Sequence, residues 1–193
     1  MENLSAFEGD LEAVIGRPTE MRPFVCEGSP LRCRVFIVGF NPATAMTASF
    51  WDFWRPGYGF DKAAWFREYK RERSLQPLKP GKTRRNEVSN TRRVMDWVIA
   101  AVPRYACLET NIHALPSEDK RGLLFERRET APFRFLLERI RPAVVVAHGE
   151  DAIAETKRLS TDAGIIPVKH FSRGWSEAAA RALGAQIEAA VPA

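Results

Sequence analysis

The stretch Arg34-Val35-Phe36-Ile37-Val38-Gly39-Phe40-Asn41-Pro42 constrains the fold more than any other part of the chain. It is an apolar run rich in β-branched residues, and it stops at Gly39 before delivering Asn41-Pro42 into a loop. A strand without alternating polar positions has to be covered on both faces, which is the situation of a parallel strand in an α/β protein. Ligands of such folds bind at the carboxyl edge of the sheet. Asn41 is therefore the first candidate functional residue.

Three further segments read as strands: Tyr105 to Ile112, Ala143 to Ala147 and Gly164 to Lys169. Their apolar runs also end in polar residues, at Asn111, His148 and His170. Helical spacing predicts helices over Ser5 to Ile15, Asp61 to Arg73, Asn90 to Val102, Ala131 to Ile140, Asp151 to Leu159 and Ser176 to Ala190. Asn3 or Ser5, Asp61 and Ser176 are placed to cap them. Alternating strands and helices predict a three-layer α/β/α sandwich with a central, mainly four-stranded parallel sheet. At 193 residues, 45% hydrophobic and 27% charged, the chain suits one globular domain. Residues 1–33 form its N-terminal helix and arm, with Arg22 to Leu31 read as irregular because of its prolines and Gly28-Ser29.

No run is apolar for long enough to cross a bilayer, and the N-terminus lacks the basic-then-apolar order of a signal peptide. A cytoplasmic location without a membrane partner is expected. Cys26, Cys33 and Cys107 lack metal-knuckle spacing and His113, His148 and His170 are scattered, so neither a metal nor a cofactor is expected. The net charge of +5 is compatible with an anionic partner, and Lys79, Lys82, Arg84 and Arg85 make the segment after the second helix the basic pole of the chain. Gly81-Lys82-Thr83 is not a nucleotide P-loop, because Gln76 stands where that motif requires glycine and no strand precedes it. Phe50, Trp51, Phe53 and Trp54 crowd five positions after the first strand. Most of these rings are expected in the core, with one available to stack on a flat ligand.

Right-handed crossovers would bring Asn41, Asn111, His148 and His170 to one edge of the sheet. The motifs at those ends resemble the uracil-DNA glycosylase superfamily. Gly39-Phe40-Asn41-Pro42 is similar to its first motif, closest to the Gly-x-Asn-Pro form of the mismatch-specific thymine/uracil branch. Glu109-Thr110-Asn111-Ile112 resembles the segment whose asparagine reads the base. Val145-Val146-Ala147-His148-Gly149 resembles the junction of the third strand with its helix. His170-Phe171-Ser172-Arg173-Gly174-Trp175-Ser176 resembles the second motif and its wedge loop. The resemblance runs from about Val35 to Ser176 in the expected order.

It implies a uracil-DNA glycosylase-like α/β/α fold and base-excision repair chemistry on single- or double-stranded DNA or another nucleic acid. A flipped base would be read by Asn111 and stacked on Phe50, Trp51 or Phe40, while Asn41 orients water and His170 stabilises the departing base. Ser172, Arg173 and Trp175 would contact the DNA, together with Arg84 and Arg85. Asn41 has no aspartate beside it in the motif and is neutral, so its contribution would be positioning and not strong base catalysis. A non-catalytic nucleic-acid or nucleotide-binding protein of the same fold is the alternative. A small-molecule hydrolase is disfavoured, since no serine or cysteine sits in a nucleophile-elbow sequence.

Overall fold

The computed structural model describes residues 3–43, 46–78, 81, 83–117, 128–159 and 161–192. The charged stretch from Leu123 and the turn at Glu118-Asp119 lie largely outside them, as do Lys79 and Lys82. In chain order the elements are α1 (Leu4–Ile15), β1 (Phe24–Val25), β2 (Cys33–Gly39), β3 (Trp54–Arg55), β4 (Gly59–Phe60), α2 (Lys62–Leu75), α3 (Asn90–Ala100), β5 (Ala106–Asn111), α4 (Ala131–Ile140), β6 (Val144–His148), α5 (Glu150–Arg158), β7 (Gly164–Val168) and α6 (Glu177–Ala190). Short 3-10 turns occupy Pro30–Arg32 and Phe50–Phe53.

The main sheet has the order β1-β5-β2-β6-β7. β5, β2, β6 and β7 are parallel neighbours, and β1 joins β5 antiparallel at the edge. The protein is thus mixed α/β with a mainly parallel sheet. β2 lies at its centre, and Val35, Phe36, Ile37 and Val38 are fully buried. Because successive strand residues face opposite ways, β2 feeds two cores. Phe36 and Val38 join Phe7 and Leu11 of α1 and Phe133 and Leu136 of α4, whereas Val35 and Ile37 join Val94 and Val98 of α3 and Leu183 and Ile187 of α6.

Side-chain caps start the helices as the sequence predicts: Asn3 Oδ1 accepts from Ser5 N at 2.9 Å, Asp61 Oδ1 from Ala64 N at 2.8 Å and Ser176 Oγ from Ala179 N at 3.1 Å. Arg141 ends α4 in the left-handed conformation ahead of Pro142, whose ring cannot continue a helix.

Two elements differ from the expectation. Part of the arm after α1 is not irregular, because Phe24 and Val25 pair with Thr110 and Glu109 as β1. The turn at Pro56-Gly57 closes a small hairpin, β3 against β4. In both cases two residues are too few to carry a period, and their pairing partners are remote or local backbone.

A buried ionic cluster fastens β5 to the helices beside it. Lys62 Nζ at the start of α2 lies 2.7 Å from Glu109 Oε1, and Arg92 of α3 pairs with the other carboxylate oxygen. Burial alone would push the Glu109 carboxyl up, but Arg92 and Lys62 together hold it below its ordinary range. The Arg92 guanidinium also lies 5.0 Å from the centre of the Trp65 ring.

Candidate functional site

The register of the parallel strands sets Gly39, the last residue of β2, beside Asn111, the last residue of β5. His148 ends the neighbouring strand on the other side, and His170 follows β7. These ends meet over Gly39: a Cβ built there would stand 2.7 Å from Asn111 Oδ1 and 3.0 Å from His148 Nε2. Such distances exclude any side chain at position 39 unless its neighbours move. Gly149 has the matching role one strand further on. Its φ is +91°, and a Cβ would lie 3.1 Å from His170 Cδ2. Glycine is required by conformation and by the approach of the imidazole.

His148 is 4% exposed. Phe171 stacks on it with ring centres 4.4 Å apart, and His170 meets it edge-on at 5.0 Å. Both ring nitrogens are buried and lack hydrogen-bond partners among the described residues. Burial, and secondarily the proximity of His170, bring its pKa down to about 3, so the ring is neutral at physiological pH.

His170 is exposed, and partial burial of its ring lowers its pKa as well. Ser172 N donates to its Nδ1 at 3.2 Å, and the Ser172 hydroxyl lies 2.8 Å from the same nitrogen. With Nδ1 accepting, the neutral ring carries its proton on Nε2 as a hydrogen-bond donor.

Asn41 sits on the loop beyond β2. Its Nδ2 donates to the carbonyls of Pro42, at 3.2 Å, and Ser117, at 3.1 Å, while Ser117 N donates to Pro42 O at 2.9 Å. The amide nitrogen therefore ties the loop after β2 to the one after β5, and this fixes the side of the amide on which Oδ1 lies. Asn111 is half-buried, and its side-chain amide has no recorded partner among the described residues.

Phe40, His148, Lys169 and His170, with Gly149 to Ile153 at the start of α5, line a cleft of about 630 Å³. That is room for a base-sized ligand. Its lining is of mixed charge, with Glu150 and Asp151 in the first turn of α5 and Lys169 after β7, whose Nζ donates to Gly174 O. His113 packs edge-on against Phe40 with centres 4.8 Å apart.

The predicted site residues thus separate into groups. Asn111, His170 and Phe40 come to the sheet edge, with Asn41 on the adjoining loop and Ser172 hydrogen-bonded to His170. Phe50 and Trp51 do not reach it. They are 4% and 9% exposed, packed with Phe24, Trp54 and Phe60, and Trp51 Nε1 donates to Gly16 O at 2.7 Å. Phe40 is the aromatic ring that the cleft does contain. Trp175 folds inward onto Phe171, with centres 5.1 Å apart, which leaves Arg173 and Gly174 as the exposed tip of that loop. Arg84 and Arg85 line a separate cavity of about 670 Å³ with Arg73 and Asn86. Arg85 is engaged there by Gln76 and by the Pro77 carbonyl, whereas Arg84 is exposed.

Sequence reasoning placed His148 at a strand end without giving it a role, and it passed over Glu150, Asp151 and Lys169. The signal for His148 was a histidine closing the most apolar strand of the chain. Among the described residues no three His, Cys, Asp or Glu side chains gather as metal ligands would, and no helix is long and apolar enough to cross a membrane. The fold and edge define a mixed α/β protein with a strand-end cleft. Beyond that class, the chain matches no model of a known protein family and no curated protein by sequence.

Proposed function

We propose that the chain is a uracil-DNA glycosylase-like protein with a three-layer α/β/α arrangement, which takes a uracil-like base of DNA into the strand-end cleft and hydrolyses its N-glycosidic bond. The convergence of Asn111, His148 and His170 around Gly39 and Gly149 is the observation that carries this reading. Asn111 supplies a donor and an acceptor side by side for a base edge, and Phe40 supplies the ring. Water attacks the anomeric carbon, the base leaves with the bonding electrons while the Nε2–H of His170 donates to the base oxygen on which charge develops, and the proton lost by the water passes through solvent to the base anion. Asn41 Oδ1 positions the water, its orientation held by the two carbonyls on Nδ2.

Uracil-containing single- and double-stranded oligonucleotides followed by alkaline cleavage test this. Abasic product is expected, falling about a hundredfold in His170→Ala. No product from uracil, hypoxanthine or mismatched thymine would refute hydrolysis. The engagement of the Asn41 amide by the Pro42 and Ser117 carbonyls, with no carboxylate beside it in the motif, favours a second reading: a non-catalytic reader of the same base. That reading predicts equilibrium binding to the same oligonucleotides with the DNA left intact.

A further inference from the structure

We infer that His148 is a positioning residue for Asn111: it fixes how the Asn111 amide is turned at the sheet edge beside the cleft, and so selects keto over amino base edges. The inference rests on the base-site reading above and assigns a specificity determinant within it. His148 Nε2 and Asn111 Oδ1 both lie within 3.0 Å of the point a Cβ on residue 39 would occupy, so the two polar atoms close over the same glycine. Among the described residues, the rings that pack on the imidazole are those of Phe171, face to face, and His170.

A neutral imidazole has one donor and one acceptor, and enclosed nitrogens are almost always paired. Both nitrogens of this ring are enclosed and unpartnered among the described residues. The terminal torsion of an asparagine is soft, and in the inferred pair it is turned so that Asn111 Oδ1 meets Nε2. His148 in its Nε2–H form then donates to Oδ1. The Nδ2 hydrogens of Asn111 are left facing the ligand, with one Oδ1 lone pair still open beside them. A uracil-type edge, keto oxygen next to N–H, meets that pattern. A cytosine-type edge, amino group next to a bare ring nitrogen, presents hydrogens to hydrogens and is refused.

Burial also keeps the ring neutral, which preserves the single-donor form across the physiological range. The stacked Phe171 holds the ring plane, so the choice is built in before any ligand arrives.

The test begins with nitrogen-resolved proton spectra of the ligand-free protein. His148 is expected as the Nε2–H tautomer. The Asn111 side-chain amide signals are expected to move in His148→Phe, which keeps the stacking ring, and to return in His148→Gln, which restores a donor. In parallel, the ratio of affinities for uracil- and cytosine-containing single-stranded oligonucleotides should drop about tenfold in the phenylalanine variant and recover in the glutamine variant. Should His148→Phe fail to fold, Asn111→Leu gives the same decision through the His148 nitrogen signals. Unchanged signals across the pair, or an Nδ1–H tautomer, would overturn the assignment whatever the protein binds. Coupled signals with no uracil preference in the parent protein would overturn the base-site reading and leave the His148–Asn111 pair standing.

Discussion

Gly39 concentrates the constraints of the site in one missing methyl group. Its neighbours Asn111 Oδ1 and His148 Nε2 occupy the space a Cβ would need, so Gly39→Ala must displace a strand end or two polar side chains. Overpacking of this kind costs about 1–3 kcal/mol, and a drop of that size in urea-unfolding stability is expected. An unchanged midpoint would mean that the edge is looser than these distances imply. His148 carries a second residue-scale expectation. Its folded pKa of about 3 lies below the 6.5 of an unperturbed histidine, so the unfolded chain binds the extra proton between those values. Stability from this group is complete above pH 6.5 and is lost as pH falls toward 3, by at most about 1.4 kcal/mol per pH unit. His113 and His170 are shifted in the same direction, so the parent alone does not isolate the effect. The difference in unfolding free energy between the parent and His148→Phe, followed from pH 7 to pH 5, does. Taken as parent minus variant, it should fall on acidification, and a pH-independent difference would contradict a buried neutral ring.

At the scale of elements, β5 is held at two levels: its backbone pairs with β1 and β2, and Glu109 is clasped by Lys62 of α2 and Arg92 of α3. Glu109→Ala would leave Arg92, whose side chain is 11% exposed, with only the longer pair to Asp96 at 3.4 Å, while Lys62 at 25% can turn toward water. Removing one partner of a buried pair costs about 3–5 kcal/mol, and the lower end is expected here. Lys62→Met should cost less, because Arg92 still neutralises Glu109. The order of the two losses in chemical denaturation checks the assignment, and equal losses would mean that Arg92 alone does not hold Glu109. These elements also mark how far the sequence could be read. The four parallel strands and six helices lie within a few residues of their predicted bounds, since long apolar runs and helical spacing are local signals. β1 and the β3–β4 hairpin were not legible, because two-residue strands exist only through their partners. Glu109 and Asn111 are polar residues on or ending a strand of apolar character and need partners, yet that Glu109 is the one paired with cations depends on α2 and α3, which sequence spacing does not place. Phe50 and Trp51 show the opposite failure: aromatic residues next to a strand end read the same whether they face the cleft or, as here, the core. The position of His148 could be read, but not its lack of partners, which arises only when Phe171 closes over it.

For the molecule as a whole, the proposed function would put base recognition and backbone attraction on different parts of the surface. The cleft at the sheet edge has a lining of mixed charge, with Glu150, Asp151 and Lys169, while Arg73, Arg84 and Arg85 gather at a separate cavity next to the start of α3. A phosphate contact carries no base information and releases counterions, so its loss weakens binding to every sequence and flattens the salt dependence. Arg84 is the clean probe because it is exposed, whereas Arg85 also braces Gln76 and Pro77 and its removal would disturb the loop. Arg84→Ala should therefore lower affinity equally for uracil-containing and uracil-free oligonucleotides, and reduce the slope of log affinity against log salt by about 0.7 for single strands or 0.9 for duplex. His170→Ala should do the reverse, erasing the distinction between the two oligonucleotides with the slope unchanged. Fluorescence anisotropy titrations at several salt concentrations measure both quantities at once. If Arg84→Ala altered the base preference, or His170→Ala the salt slope, the two surfaces would not be separate functions and the division of labour argued from their geometry would fail.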